Sequence, residues 1–377
     1  MRYPPLSANI DVKLLSGLRD QIRAITPVLP DKAVVTVGQY ALDTLNESEK
    51  LTEVDIYTLL RVLHRKDLQH RTVELDPEHS LQMDTMYEPH YWFDLGSYLE
   101  GVNMEGILGN LFYDYHKEIL SISNISEGAT AGILPEIHRH FMGKEKSTLG
   151  VCVFPSMAHS GDALYNAFSA VGRIRRDAST PLILVDQGKL EDYDGVHRDG
   201  DVLKGIDVLD YIIELLLDKE GFIRDLNKLS TSYNIELFSV LMASGCSMDI
   251  YESFRNILEI TLEQPLMDFD ITTAKMIYVL VKAPLKFRDE LQKGQLEYEV
   301  STWLQESIGI DIPQICESLF VDEFGDRLDV VILAGGYDSK EKFTIVHKRI
   351  ERFSKMNLDQ GLVKTEDWEE IKKVMLG

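Results

Sequence analysis

Short runs of β-branched and apolar residues recur along the first half of the chain, each followed by a stretch with helical spacing. AVVTV (33–37), RTVEL (71–75), ILSIS (119–123), LGVCVF (149–154) and PLILV (181–185) read as strands. Runs this short and this uniformly apolar imply strands buried on both faces. Between them lie helix-like segments over 41–46, 110–118 and 163–176, and one opening at PEIHRHF, with Pro135 in its first turn where a missing N–H does no harm. Because a parallel crossover needs an intervening helix, the alternation predicts a parallel sheet with helices on both faces.

The flanking segments differ in character. Residues 10–25 carry Leu14, Leu15, Leu18 and Ile22 at helical spacing and stop before PVLPDK. A long helix is expected over 201–218, apolar at Val202, Leu203, Ile206, Leu209, Ile212, Ile213 and Leu216, ending near Gly221. Beyond it, helices over 250–262 and 298–308 precede the strands AKMIYVLVK (274–282) and DRLDVVILAGGY (326–337), a smaller α+β unit. The expected organisation is an N-terminal helical extension (1–31), an α/β domain (32–200), a central helix (201–220), an α+β domain (221–340) and a charged helical tail (341–377).

Charge and cysteines exclude several classes. Among 377 residues, Lys+Arg number 39 against Asp+Glu 62, a net charge of −23. Such a chain repels nucleic acid and anionic membranes, so neither is an expected partner. Cys152, Cys246 and Cys316 form no C-x-x-C pair, which excludes a disulfide framework or a cysteine zinc site and suits a reducing cytoplasm. The most apolar window, 206–217, is broken by Asp207, Asp210 and Glu214, so no membrane span is expected, and the first residues hold no signal-peptide core.

One segment has the layout of an anion cradle. In SISNISEGATAGILPEI (121–137) a strand meets a loop of small residues and then a helix start. Backbone N–H groups and the helix dipole favour an anion there, and small side chains allow close approach.

In order and spacing, these segments resemble the tubulin/FtsZ superfamily, and the archaeal FtsZ and CetZ-like branches most. EGATAGI (127–133) stands where the family has its glycine-rich phosphate loop, and VGQYA (37–41) keeps Gly38 and Gln39 of its first loop. RTVELDPE (71–78) resembles the second strand and loop, and LYNAFSAVGRI (164–174) the helix before the sugar and base loops. LILVDQGKL (182–190) matches the segment with the guanine-contacting asparagine, here Gln187. GDVLKGIDVLDYIIELL (200–216) resembles the central helix with Asp201 at the guanine position, and 262–281 and 326–337 resemble two later segments.

The resemblance implies a Rossmann-like GTPase domain with a parallel sheet, a long central helix and a smaller C-terminal α+β domain. It implies binding of GTP or GDP, with Mg²⁺, at Gly38, Gln39, Gly128, Ala129, Thr130, Gly132, Gln187 and Asp201, and self-association into cytoplasmic filaments.

Departures from the pattern bear on activity. Glu127 replaces a phosphate-loop glycine; a carboxylate 4 Å from a phosphate charge costs about 4 kcal/mol at an effective dielectric near 20. Tyr40 replaces a tiny residue. In GFIRDLNKLS (221–230), the loop that completes the neighbouring subunit's site in the family, Asp225 keeps the first acid but Lys228 stands at the second and Ile223 at an asparagine. A protonated lysine is no base for water, so weak or absent hydrolysis is expected. Glu127, Asp225 and Lys228 are expected at the subunit interface. The alternative is a nucleotide-independent protein that caps or co-assembles with an active homologue. His138 and His140 are expected at the surface, Arg173, Arg175 and Arg176 on a solvated helix face, and Cys246 as a buried small apolar residue.

Overall fold

The computed structural model describes residues 31–45, 54–60, 80–82, 115–322, 325–361 and 363–377. The expected helix over 10–25 and strand over 71–75 lie outside those residues. Elements are numbered in chain order among the described residues.

The first half is strand–helix alternation as expected. β1 (Lys32–Val37) leads into a short α1 (Gln39–Thr44), followed by β2 (Asp55–Leu60) and β3 (Ser80–Gln82). Then come β4 (Glu118–Asn124), α2 (Gly128–Phe141), β5 (Ser147–Phe154), α3 (Gly161–Asp177), β6 (Leu182–Asp186) and α4 (Gln187–Asp192). Every described residue of β4 and β6 is buried, which is why they read as continuous apolar runs. Two local expectations are corrected. The described end of 110–118 is not helix, because Tyr115–Lys117 turn directly into β4. Pro135 lies inside α2 rather than in its first turn, held there by the buried Ala131, Leu134, Ile137 and Phe141 on either side.

The middle of the chain departs further. A hairpin of β7 (Gly195–Val196) and β8 (Val202–Leu203) precedes α5 (Ile206–Asp218). The central helix therefore starts at Ile206, after Gly205 (φ 57), and not at Asp201. From Val208 to Leu217 only Asp210 escapes burial, so the helix is enclosed rather than striped. The expected loop at 221–230 is α6 (Phe222–Tyr233), which starts directly after Gly221 (φ 70).

The rest comprises β9 (Leu237–Ser247), α7 (Met248–Tyr251), α8 (Phe254–Thr261), β10 (Met276–Pro284) and α9 (Lys293–Trp303). β11 (Gln314–Val321), β12 (Arg327–Gly335), α10 (Lys340–Asp359) and α11 (Thr365–Leu376) complete it.

Ten described strands form one sheet in the order β11-β10-β12-β9-β6-β5-β4-β1-β2-β3, parallel throughout except for β12. The two halves share that sheet through the pairing Leu182↔Leu237 to Leu184↔Ser239. On β9, alternate residues serve opposite faces: Val240 and Met242 join the core around α5, and Leu241 and Ala243 the core around α8 and α9. The other face of the first half carries α2, α3, α10 and α11. The charged tail is thus part of the core, burying Phe343, Val346, Ile350, Trp368 and Ile371, and Gly172 of α3 lets Ile371 come close.

Candidate functional site

Loops at the carboxyl ends of β1, β4 and β6 meet. Gly38 follows β1 with φ +87, a conformation that favours glycine, and a Cβ there would lie 2.6 Å from Thr130 Cγ2. After β4, α2 starts with Glu127 as N-cap and no side-chain cap, leaving the first-turn N–H groups of Gly128, Ala129 and Thr130 without intrahelical partners. Gly132 is already in the second turn, where its N–H belongs to the helix ladder, so it is no anion donor.

The loop is held from within. The Thr130 hydroxyl donates to the carbonyls of Asn124 (2.6 Å) and Glu127 (3.0 Å), and Ser126 N–H to Asn124 Oδ1 (3.0 Å). Asn166 of α3 donates to Ser126 O (2.8 Å). Across the edge, Asn124 Nδ2 donates to Gln187 Oε1 (3.3 Å), and Gln187 Nε2 to Glu191 (3.0 Å). Gln39 bonds Asp43 on its own short helix. Tyr40 packs against the α5 core, and burial, with Glu191 adding to it, pushes its hydroxyl up to about 12. Gly38, Thr130, Glu127, Asn124 and Gln187 thus form one edge.

Asp201 does not join it. It is exposed in the β7–β8 turn, bonding His197 N and Asp199. That hairpin packs on β9 at Gly245 and reaches Asp329 of β12 through Arg198 (3.4 Å). The acid in the first turn of α5 is Asp207, which sequence reading missed by starting the helix too early. The signal was Gly205, a helix-entry glycine directly before the apolar periodicity.

Asp225 sits at the other end of the sheet. α6 packs along β4 and β5, and Asn227 Nδ2 donates to Thr148 O at the start of β5 (2.8 Å). In the first turn of α6, Asp225 Oδ1 lies 3.5 Å from Lys228 Nζ and 3.7 Å from Arg224 Nε. Ile223 is buried beneath them. Nearby, burial raises the Glu118 carboxyl, with Lys32 and Arg224 opposing. One chain therefore holds the anion cradle and Asp225 at opposite ends of its parallel strands.

Other candidates are structural. His138 is buried, bonded to Ser121 Oγ (2.9 Å) and lowered to about 4 by burial, which corrects its expected surface place; His140 stays outside with Lys144. The expected solvated arginines are paired: Arg173 with buried Glu136, Arg175 with Glu236, Arg176 with Asp177 and Asp367. Cys246 is buried, and its thiol is pushed up to about 11 chiefly by that burial. Among the described residues, no group of three His, Cys, Asp or Glu can hold a metal, and no helix is long and apolar enough to cross a membrane.

No protein-family model and no curated protein matches the sequence. Solved structures do match. CetZ from Methanosaeta thermophila overlays with a TM-score of 0.62 at 14% identity, over 91% of this chain and 97% of that one. CetZ2 from Haloferax volcanii, a GTPγS-bound protofilament, gives 0.62 at 15% identity over 88% and 99%. An FtsZ dimer from M. jannaschii gives 0.61 at 13% identity over 86% and 93%. Overlap this complete, on top of the strand order and the enclosed central helix, identifies the fold of this chain as that of the tubulin/FtsZ superfamily.

Proposed function

We propose that this protein binds a guanine nucleotide, GTP or GDP, and assembles head to tail into filaments in the cytoplasm, with slow or absent hydrolysis. The observation that carries the reading is the uncapped N-terminus of α2 facing Gly38 at the carboxyl end of the parallel strands. In open α/β sheets ligands bind at that end, and helix N-termini favour phosphate. Gly38, Gln39, Gly128, Ala129 and Thr130 would surround the phosphates. Gln187 would meet the base, with Asp207 taking the role expected of Asp201. Mg²⁺ would be carried mainly by the triphosphate. The GTPγS-bound CetZ2 protofilament and the GDP-bound CetZ1 of Haloferax volcanii support the reading by fold.

Head-to-tail stacking would bring Asp225 of one subunit to the phosphates of the next. There Lys228 and Arg224 offset the charge Asp225 can present to a water, and no second acid stands at 228. This favours bound, unhydrolysed nucleotide. Titration calorimetry with GTP and GDP tests binding, and electron microscopy with and without GTP tests assembly. Absence of heat at hundreds of micromolar nucleotide would sink the proposal.

Glu127 favours a second reading. Its Oε2 lies 3.9 Å from where a Cβ on Gly38 would be, so a carboxylate already occupies part of the cradle. In that case the chain is a nucleotide-free partner that caps or co-assembles with an active homologue. The 260/280 nm absorbance ratio of the purified protein separates the two.

A further inference from the structure

We propose that Lys342, in the first turn of α10, is a positioning and specificity-determining residue for the base side of the pocket; this rests on the nucleotide reading above. Lys342 Nζ lies 3.3 Å from Asp186 Oδ2, and the two side chains are only 16% and 8% exposed. Asp186 ends β6, and its other oxygen accepts from Gly188 N (3.0 Å) and Lys189 N (3.4 Å), capping α4. The first residue of α4 is Gln187, whose Oε1 accepts from Asn124. Asn124 in turn holds Ser126 N–H and the Thr130 hydroxyl. Hydrogen bonds on either side of the Asp186–Gln187 peptide therefore tie α10 to α4, and α4 to the loop before α2.

The division of labour on Asp186 gives Lys342 its role. A nearly buried carboxylate needs a counter-charge, and here the cation takes one oxygen while two N–H groups take the other. Without the cation, Asp186 turns toward water and its cap on α4 loosens, so Gln187 loses its fixed orientation. The phosphate donors on α2 do not depend on this cap. α10 also does not need the ion pair to dock, because Phe343, Val346 and Ile350 anchor it in the core. Two turns further along, Arg349 donates to the carbonyls of Met157 and His159 in the β5–α3 loop. One helix face thus grips both neighbouring loops. A cleft of about 730 Å³ lined by Asp186, Lys189, Phe269 and Lys342 opens beside the pair, so a variant can hydrate Asp186 and still fold.

The test compares the parent protein with Lys342→Met, which keeps the stem, and Lys342→Arg, which keeps the charge. In nucleotide-free protein, hydrogen exchange at the Gly188 and Lys189 amides should speed about tenfold in K342M, recover in K342R and stay unchanged in β5 and α3. By calorimetry, K342M should lower the GTP-over-ATP affinity ratio about tenfold with ATP binding within about twofold of the parent. Unchanged exchange at Gly188 and Lys189 overturns the tie, whatever the nucleotide data. An equal loss for GTP and ATP reduces Lys342 to a structural role. A parent that binds neither nucleotide defeats the underlying reading and the specificity role with it, while the exchange data still decide whether Lys342 holds α4.

Discussion

At the residue scale, burial decides what chemistry a side chain retains. His138 is the clearest case. Enclosed against β4 and β5 with Ser121 on Nε2 and no partner on Nδ1, it favours the neutral ring, at about 4 instead of the ordinary 6.5. The unfolded chain therefore binds the proton first as pH falls. The stabilisation is complete above pH 6.5 and declines between 6.5 and about 4, by the order of 3 kcal/mol. His138→Leu should flatten that part of the stability–pH curve, measured by urea unfolding at pH 4.5 and 7. An unchanged slope would place the titration elsewhere. Sequence could not show this, since an EIHRH run says nothing of which turn faces the sheet. The turn at Gly38 was legible because its residue type carries backbone information: glycine tolerates φ +87, and its missing Cβ lets Thr130 of α2 come close. Asp201 lies in a hairpin turn and not at the start of α5, which sequence could not show because an acid near a helix start looks alike in a hairpin turn and in a first turn.

At the element scale, α5 is the joint of the molecule. Leu209 is fully buried in a core that also holds residues of β1, β5, β9, β10 and β12. Leu209→Ala should cost ~2–5 kcal/mol through transfer and cavity terms, read as a fall in the denaturant midpoint at unchanged slope. A change under ~0.5 kcal/mol would mean the helix can be repacked without loss. Periodicity revealed α5 but misplaced its start, because Val202 and Leu203 fit both a helical stripe and a two-residue strand. β9 was missed: LFSVLMASGCS mixes serine, glycine and alanine into a run buried at every position, and small residues carry no apolar signal of their own. α6 was read as a loop because the family resemblance, not the apolar spacing of Phe222, Ile223 and Leu226, guided that stretch.

At the scale of the whole molecule, the parallel strands set the cradle and Asp225 at opposite ends, so any site combining them needs two chains. Glu127 at one end and Lys228 at the other have opposite signs. Lys228 is already paired with Asp225, but both are exposed, and such a pair is worth only ~0–1 kcal/mol, so exchanging partners costs little. Glu127→Lys and Lys228→Glu should each impair assembly in a pelleting assay, and the double exchange should recover part of it. Single variants that assemble as well as the parent would refute the pairing. The sequence by itself determined the alternating α/β plan, a long apolar helix ending near residue 218, the small-residue turns just before α1 and α2, and the acidic balance of the chain. Those features are local, since propensity, periodicity and charge are properties of neighbours along the chain. Only the tertiary structure decided that both halves share one sheet, that the charged tail is core, that Asp201 stands apart from Gln187, and that Lys342 reaches Asp186. Apart from the place of Asp201, these join residues far apart in sequence, and the hydrophobic burial that brings such segments together has no direction until the sheet order is set.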